Sequence, residues 1–170
     1  PCLRARHFDE LYPVFFVRVR NTKFAIYQVE TTAYPARDFI HPGLGERPMH
    51  ACSCSKAIAA FAEPEFQDCI VSKNLRQYTE HTKTSQKDLY AEFQKIAERG
   101  FADCDQEIDM GIASVAAPVS IGNIGAIFSI GAVGPIRRFG EAYRNEIGAK
   151  LVELSTRVSG AIQLCNVPEL

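Results

Sequence analysis

Ile112-Ala-Ser-Val-Ala-Ala-Pro-Val-Ser-Ile-Gly-Asn-Ile-Gly-Ala-Ile-Phe-Ser-Ile-Gly131 decides the fold of this chain. Ile112–Val119 and Ile124–Gly131 are almost continuously apolar, and Gly122-Asn123 between them suits a tight turn, so the pattern predicts an antiparallel hairpin. Apolar residues at nearly every position, rather than at alternate ones, mean burial on both faces. These strands therefore belong at the centre of a sheet, with other elements packed above and below.

Upstream, Val14-Phe-Phe-Val-Arg-Val-Arg20 and Lys23-Phe-Ala-Ile-Tyr-Gln-Val-Glu30 are rich in β-branched and aromatic residues and flank Asn21-Thr22, which predicts a second hairpin. A weaker strand around Arg37–His41 runs into the glycine- and proline-rich loop Pro42–Pro48. Next comes a helix with the body Lys56–Ala62, which Ser53 or Ser55 can cap, and Pro64 ends it while opening a second helix through about Ser72. Asn74–Thr84 reads as loop. Ser85 then caps a helix with Leu89, Phe93 and Ile96 at helical spacing, and Gly100 stands where a left-handed C-terminal cap belongs. From Glu141 to about Leu164, Tyr143, Ile147, Leu151, Leu154, Val158 and Ile162 form one stripe, with Arg144 among the polar positions. The order describes an α+β domain, an antiparallel sheet with helices packed against it and a long C-terminal helix. It resembles the plan of GAF-like sensor domains, and residues 1–170 form one such domain.

Composition narrows the function. The 170 residues are 46% hydrophobic, and 19 basic against 20 acidic side chains leave a net charge of −1, so no clustered positive charge is offered to a phosphate backbone. The six cysteines, Cys2, Cys52, Cys54, Cys69, Cys104 and Cys165, are too sparse and irregular for a disulfide scaffold, which fits a reducing cytoplasm. No apolar run of about 18 residues is present to span a bilayer. The start at Pro1 rather than Met reads as that of a fragment with a segment missing upstream.

Three constellations carry candidate chemistry. Ser53, Cys54 and Ser55 precede or open a helix, where backbone amides lack intrahelical partners and attract a carboxylate; the alternative is that the serines only cap. Asp103, Asp105, Glu107 and Asp109 alternate, so an extended segment points them to one side, either as a solvated acidic loop or with one of them, Asp105 by preference, turned inward, where Ser114 could add a further hydrogen bond. His50, Cys52, Cys54 and Cys104 have the ligand types of a zinc site, but the Cys-x-Cys spacing is not that of a zinc knuckle and buried thiols are common. The same thiols admit a reductase reading, since helix-start thiolates are favoured. No nucleophile, base and orienting residue assemble into a catalytic set, and neither metal nor cofactor is expected.

Pro48-Met-His-Ala, followed after four residues by Lys56-Ala57, then Glu98-Arg-Gly-Phe-Ala102, Asp105-x-Glu107, Gly111, Val115-Ala-Ala-Pro-Val119 and Gly134-Pro135, is similar to the effector-binding domain of IclR-type bacterial transcription regulators. The similarity runs from about Val14 to Ala161. It implies a sensor without enzymatic activity that binds a small organic or aromatic acid, associates as a homodimer or tetramer, and meets operator DNA through an N-terminal winged helix-turn-helix domain that this chain does not include. The pocket positions implied are Phe39, Ser53, Cys54, Asp105, Ser114, Gly131 and Val133. Gly131 and Val133 depart from the pattern, because members that bind small acids often carry serines there, and their absence favours a ligand with more apolar surface. The residues before the first strand depart too, since Phe8-Asp-Glu-Leu11 resembles the end of the family's leading helix yet only Tyr12 and Pro13 follow it.

Overall fold

The computed structural model describes residues 14–20, 23–30 and 47–165. Ten residues of β4 (Ile112–Ile121) and eleven of β5 (Gly125–Pro135) pair antiparallel, joined by a turn of 3-10 helix at Gly122–Ile124. Both strands outrun the expected hairpin, and the turn uses left-handed backbone at Gly122 and Gly125, a conformation that glycine adopts without steric cost. A register shift between Val119 and Ser120 lets β4 bend where it leaves the core. Pro118 cannot donate a hydrogen bond, and β3 (Ala102–Asp105) pairs with Ala113–Ala116, so among the described residues the proline sits where β4 has no partner on that side.

The first hairpin has the expected bounds, β1 (Val14–Arg20) and β2 (Lys23–Glu30). β1 pairs antiparallel with β5 as well, which completes a five-stranded sheet in the order β2-β1-β5-β4-β3. The expected strand around Arg37–His41 lies outside the described residues.

Residues of β4 alternate between two cores. Ala113, Val115, Ala117 and Val119, with Ile130 and Ala132 of β5, pack against Ile147 and Leu151 of α4 (Glu141–Cys165). Ala116 and Val133, with Ala102 of β3, face Cys54, Ala57 and Ile58 of α1 (Ser53–Ala59). Behind α1 stand α2 (Pro64–Val71), which opens on its proline, and α3 (Gln86–Arg99), which contributes Leu89, Phe93 and Ile96. Ser85 caps α3 through its hydroxyl, and Gly100 closes it at φ 83°. The sheet is thus covered on both faces, as apolarity at nearly every position of β4 and β5 requires. On the α4 side Arg144, one of the helix's polar positions, is buried and donates to the Phe139 carbonyl.

Candidate functional site

α1 builds the site. All seven of its residues are buried, because α2 and α3 close over the face that the sheet leaves free. The approach to the helix is pinned from within: Cys52 donates its N–H to the Pro48 carbonyl at 3.1 Å, and Ser55 Oγ donates to the carbonyls of Pro48 and Cys52 at 2.9 and 3.0 Å. Neither Ser53 nor Ser55 is the cap. Cys52 occupies that position without a side-chain cap bond, and both serines stand inside the helix's first turn.

Freed from capping, Ser53 Oγ lies 2.8 Å from Ser114 Oγ on β4, with both side chains buried. Ser129 Oγ on β5 donates to the Cys54 carbonyl at 3.2 Å and ties the same helix turn to the next strand. Register places Ser114 opposite Val133 and Ala116 opposite Gly131. Five of the residues expected at the site, Ser53, Cys54, Ser114, Gly131 and Val133, therefore meet between α1 and one face of the sheet. Phe39 lies outside the described residues.

Asp105 does not join them, which corrects its expected inward turn. It pairs in register with Ala113, on the face that α4 covers, and Arg144 Nη2 donates to its Oδ2 at 2.7 Å. Its side chain is 45% exposed, so solvent and Arg144 share the charge. Asp103, on the same face, meets Arg99 and Arg144; burial raises its pKa, but Arg99 outweighs that and the carboxyl stays below its ordinary value. Cys104 is the β3 residue on the α1 face, buried and opposite Ser114.

The inward carboxylate is Glu107. The strand stops at Asp105 and Gln106 takes a left-handed φ of 57°, uncommon for a residue with a side chain. That reversal ends the alternation of the acidic run and sends Glu107 into the interior, where it is 2% exposed. Thr79 Oγ1 and Thr82 Oγ1 donate to the carbonyls of Gln106 and Glu107 at 2.7 and 2.6 Å, and Gly111 N–H donates to Gln106 Oε1 at 3.0 Å, so the turn is fixed from both sides. Glu107 Oε1 accepts from Lys56 Nζ at 2.6 Å and from Lys83 Nζ at 3.3 Å. Lys56 also donates to Glu92 Oε1 at 3.3 Å. Burial opposes the charge on Lys56, yet Glu107 and Glu92 outweigh it and hold its pKa above the ordinary value. The sequence reading prefers Asp105 over Glu107 as the inward acid of the run and gives Lys56 no site role. One signal was there: a lysine followed by Ala57-Ile58-Ala59-Ala60 enters a core only with a carboxylate to meet it.

The thiols divide into unlike states. A hydrogen bond from Cys54 lowers Cys52 to about 5, against burial and helped by Arg47. Burial pushes Cys54 well up, and burial with Glu107 raises Cys104 to about 12. Among the described residues no group of three His, Cys, Asp or Glu side chains is placed to hold a metal ion, and no helix is long and apolar enough to cross a membrane.

Residues 14–160 match the family described as bacterial transcriptional regulator IclR, C-terminal. The transcriptional repressor IclR of Escherichia coli K12 is 28% identical over 116 residues, which are 68% of this chain and 42% of that protein; the chain thus spans less than half of this curated relative. Among solved structures, the repressor BlcR of Agobacterium tumefaciens superposes with a TM-score of 0.84 at 16% identity, covering 95% of this chain and 64% of that one. The inducer-binding domain of a double mutant of PobR from Acinetobacter, solved with 3-hydroxybenzoic acid, gives 0.76 at 16% identity over 87% of each chain. These likenesses at low identity establish the fold, and the named relatives are regulators rather than thiol reductases. With the match over residues 14–160, the chain belongs to the IclR family of bacterial transcriptional regulators, as its C-terminal, effector-binding domain.

Proposed function

We propose that this domain senses a small organic acid, with the acid's carboxylate at the amides of Ser53 and Cys54 and a second polar group at the Ser53–Ser114 hydroxyl pair. The observation that carries this reading is that pair, 2.8 Å apart and sealed between α1 and β4. Amides of a helix's first turn have no acceptor within the helix, and a site removed from water makes each hydrogen bond to a ligand count for more. Gly131 and Val133 bring no hydroxyl to the same face, which favours a ligand with apolar surface; the aromatic acid held by the PobR domain is of that kind. Binding acts on transcription by favouring one arrangement of a homodimer or tetramer, and so of DNA-binding segments outside these residues, to the extent that affinity differs between arrangements. The cytoplasm is the compartment where this takes place.

The test is a thermal-shift screen of aliphatic and aromatic acids. A stabilising acid is expected, with its effect lost in Ser53→Ala/Ser114→Ala, because removing both hydroxyls together leaves neither unpaired and the fold nearly unchanged. A shift that survives in the double variant counts against this site. Sedimentation with and without the acid reads the oligomeric state.

A further inference from the structure

Two thiols at the start of α1 hold no part of the proposed acid, whose carboxylate meets the amide of Cys54 and not its sulfur. Cys52 stands at the N-cap, where serine, threonine, asparagine or aspartate would bond the first-turn amides, yet it makes no side-chain cap bond. Capping therefore does not account for it. Its sulfur instead accepts a hydrogen bond from the Cys54 thiol. Helix geometry sets Cα atoms two residues apart at about 5.4 Å, inside the range of about 4.4–6.8 Å that a disulfide spans. Side chains two apart within a helix diverge. Cys52, however, lies just before the helix with extended backbone, φ −77° and ψ 130°, and the hydrogen bond brings the two sulfurs together.

The pair is unequally placed. Cys54 is fully buried, and its carbonyl accepts from Ser129 Oγ at 3.2 Å. Cys52 keeps 6% of its surface exposed and is anchored by its N–H to the Pro48 carbonyl. The Cys54 hydrogen bond, with Arg47 nearby, favours its thiolate against burial. A thiolate at the edge with a thiol behind it is the arrangement of an attacking and a resolving cysteine. Cys104 is not a member, because burial and Glu107 keep its proton on.

We propose that Cys52 and Cys54 form a dithiol that reacts with hydrogen peroxide and closes to a disulfide across Ser53, giving the domain a redox input that needs no acid. The Cys52 thiolate attacks one peroxide oxygen; an S–O bond forms, the O–O bond breaks, and the departing hydroxide takes up a proton and leaves as water. Cys52 is then a sulfenic acid, oxidised by two electrons and uncharged. Burial, the hydrogen bond to Cys52 and the charge of Cys52 hold the proton on Cys54, and the last of these is gone once the sulfenic acid forms. The Cys54 sulfur then displaces hydroxide from Cys52, the S–S bond forms as the S–O bond breaks, and the Cys54 proton leaves with the hydroxide as water. One peroxide and two thiols give one disulfide and two waters. The loop closed is too short to constrain the unfolded chain much, so a dithiol reductant reverses the step.

The experiment treats the whole 170-residue chain with hydrogen peroxide at pH 6, below the range in which ordinary thiols ionise, then alkylates it and maps the cysteines by mass spectrometry. The peptide carrying Cys52 and Cys54 is expected to be lighter by two hydrogens and to resist the alkylating agent until dithiothreitol is added. At that pH the thiolate fraction of Cys52 exceeds that of free cysteine by about two orders of magnitude, and the weaker nucleophilicity of an acidic thiolate takes back all but about tenfold. Cys52 should therefore be oxidised about tenfold faster than free cysteine. In Cys54→Ser the reaction should stop at the sulfenic acid, which dimedone traps on Cys52. Cys52 and Cys54 both still open to alkylation after the exposed Cys165 has been oxidised overturns the proposal. A disulfide joining Cys52 to Cys104 or to a second chain overturns it as well, and the map of the unaltered chain decides this whether or not the variant folds.

Discussion

At the scale of single residues, the site is governed by which buried polar groups find each other. Ser53 and Ser114 satisfy one another. Ser114→Ala alone strands the Ser53 hydroxyl in the interior and should cost about 1–3 kcal/mol by urea denaturation, whereas the Ser53→Ala/Ser114→Ala pair should recover most of that loss. Cys52 gives a pH signature. Its folded-state pKa of about 5 lies below the ordinary 9.0, so its contribution to stability is complete above the ordinary thiol range and is lost as pH falls towards about 5. Thiolate ultraviolet absorbance should disappear with a midpoint near 5 in the folded protein and be absent at that pH in Cys52→Ala. The sequence points to Ser53 and Cys54 through helix-start amides and to Ser114 through its place in an apolar strand; the structure brings Ser53 and Ser114 together, while neither helix-start serine is the cap. Which acid of the run turns inward was not legible: regular alternation puts Glu107 on the side of the preferred Asp105, and only the left-handed backbone at Gln106 breaks that pattern. No propensity marks a glutamine for that conformation.

At the scale of elements, α4 makes a close approach to Phe101, the residue before β3. A Cβ on Gly148 would lie 2.5–2.6 Å from ring atoms of Phe101, which also has the Arg99 guanidinium 4.5 Å from its ring centroid. Alanine is the better helix former by about 1 kcal/mol, but overpacking costs about 1–3 kcal/mol, so Gly148→Ala should lower stability on balance. Combining it with Phe101→Leu should cost less than the two changes summed, as a double-mutant cycle on chemical denaturation would show. The long or strongly patterned elements were readable: β1, β2, α3 with its serine and glycine caps, and α4. β3 was not, since four residues with aspartates at alternate positions carry too little apolar signal. The pairing of β1 with β5 was hidden for another reason. It joins segments more than a hundred residues apart, and local pattern is silent about which edge receives a hairpin.

At the scale of the whole molecule, the two faces of the sheet differ in kind. On the α4 face an apolar core is edged by Arg144, which meets the carboxylates of Asp103 and Asp105 and leaves its Nε without a hydrogen-bond partner among the described residues. On the α1 face a buried helix brings hydroxyls, thiols and a lysine against small residues of three strands. The direct measurement is a crystal structure of the chain grown with the acid that stabilises it most in the thermal-shift screen. The expected result is the acid between α1 and the sheet, its carboxylate at Ser53 and Cys54 and its second polar group directed to Ser114. An acid bound on the α4 face beside Asp105 and Arg144, with the α1 face unchanged, would contradict it.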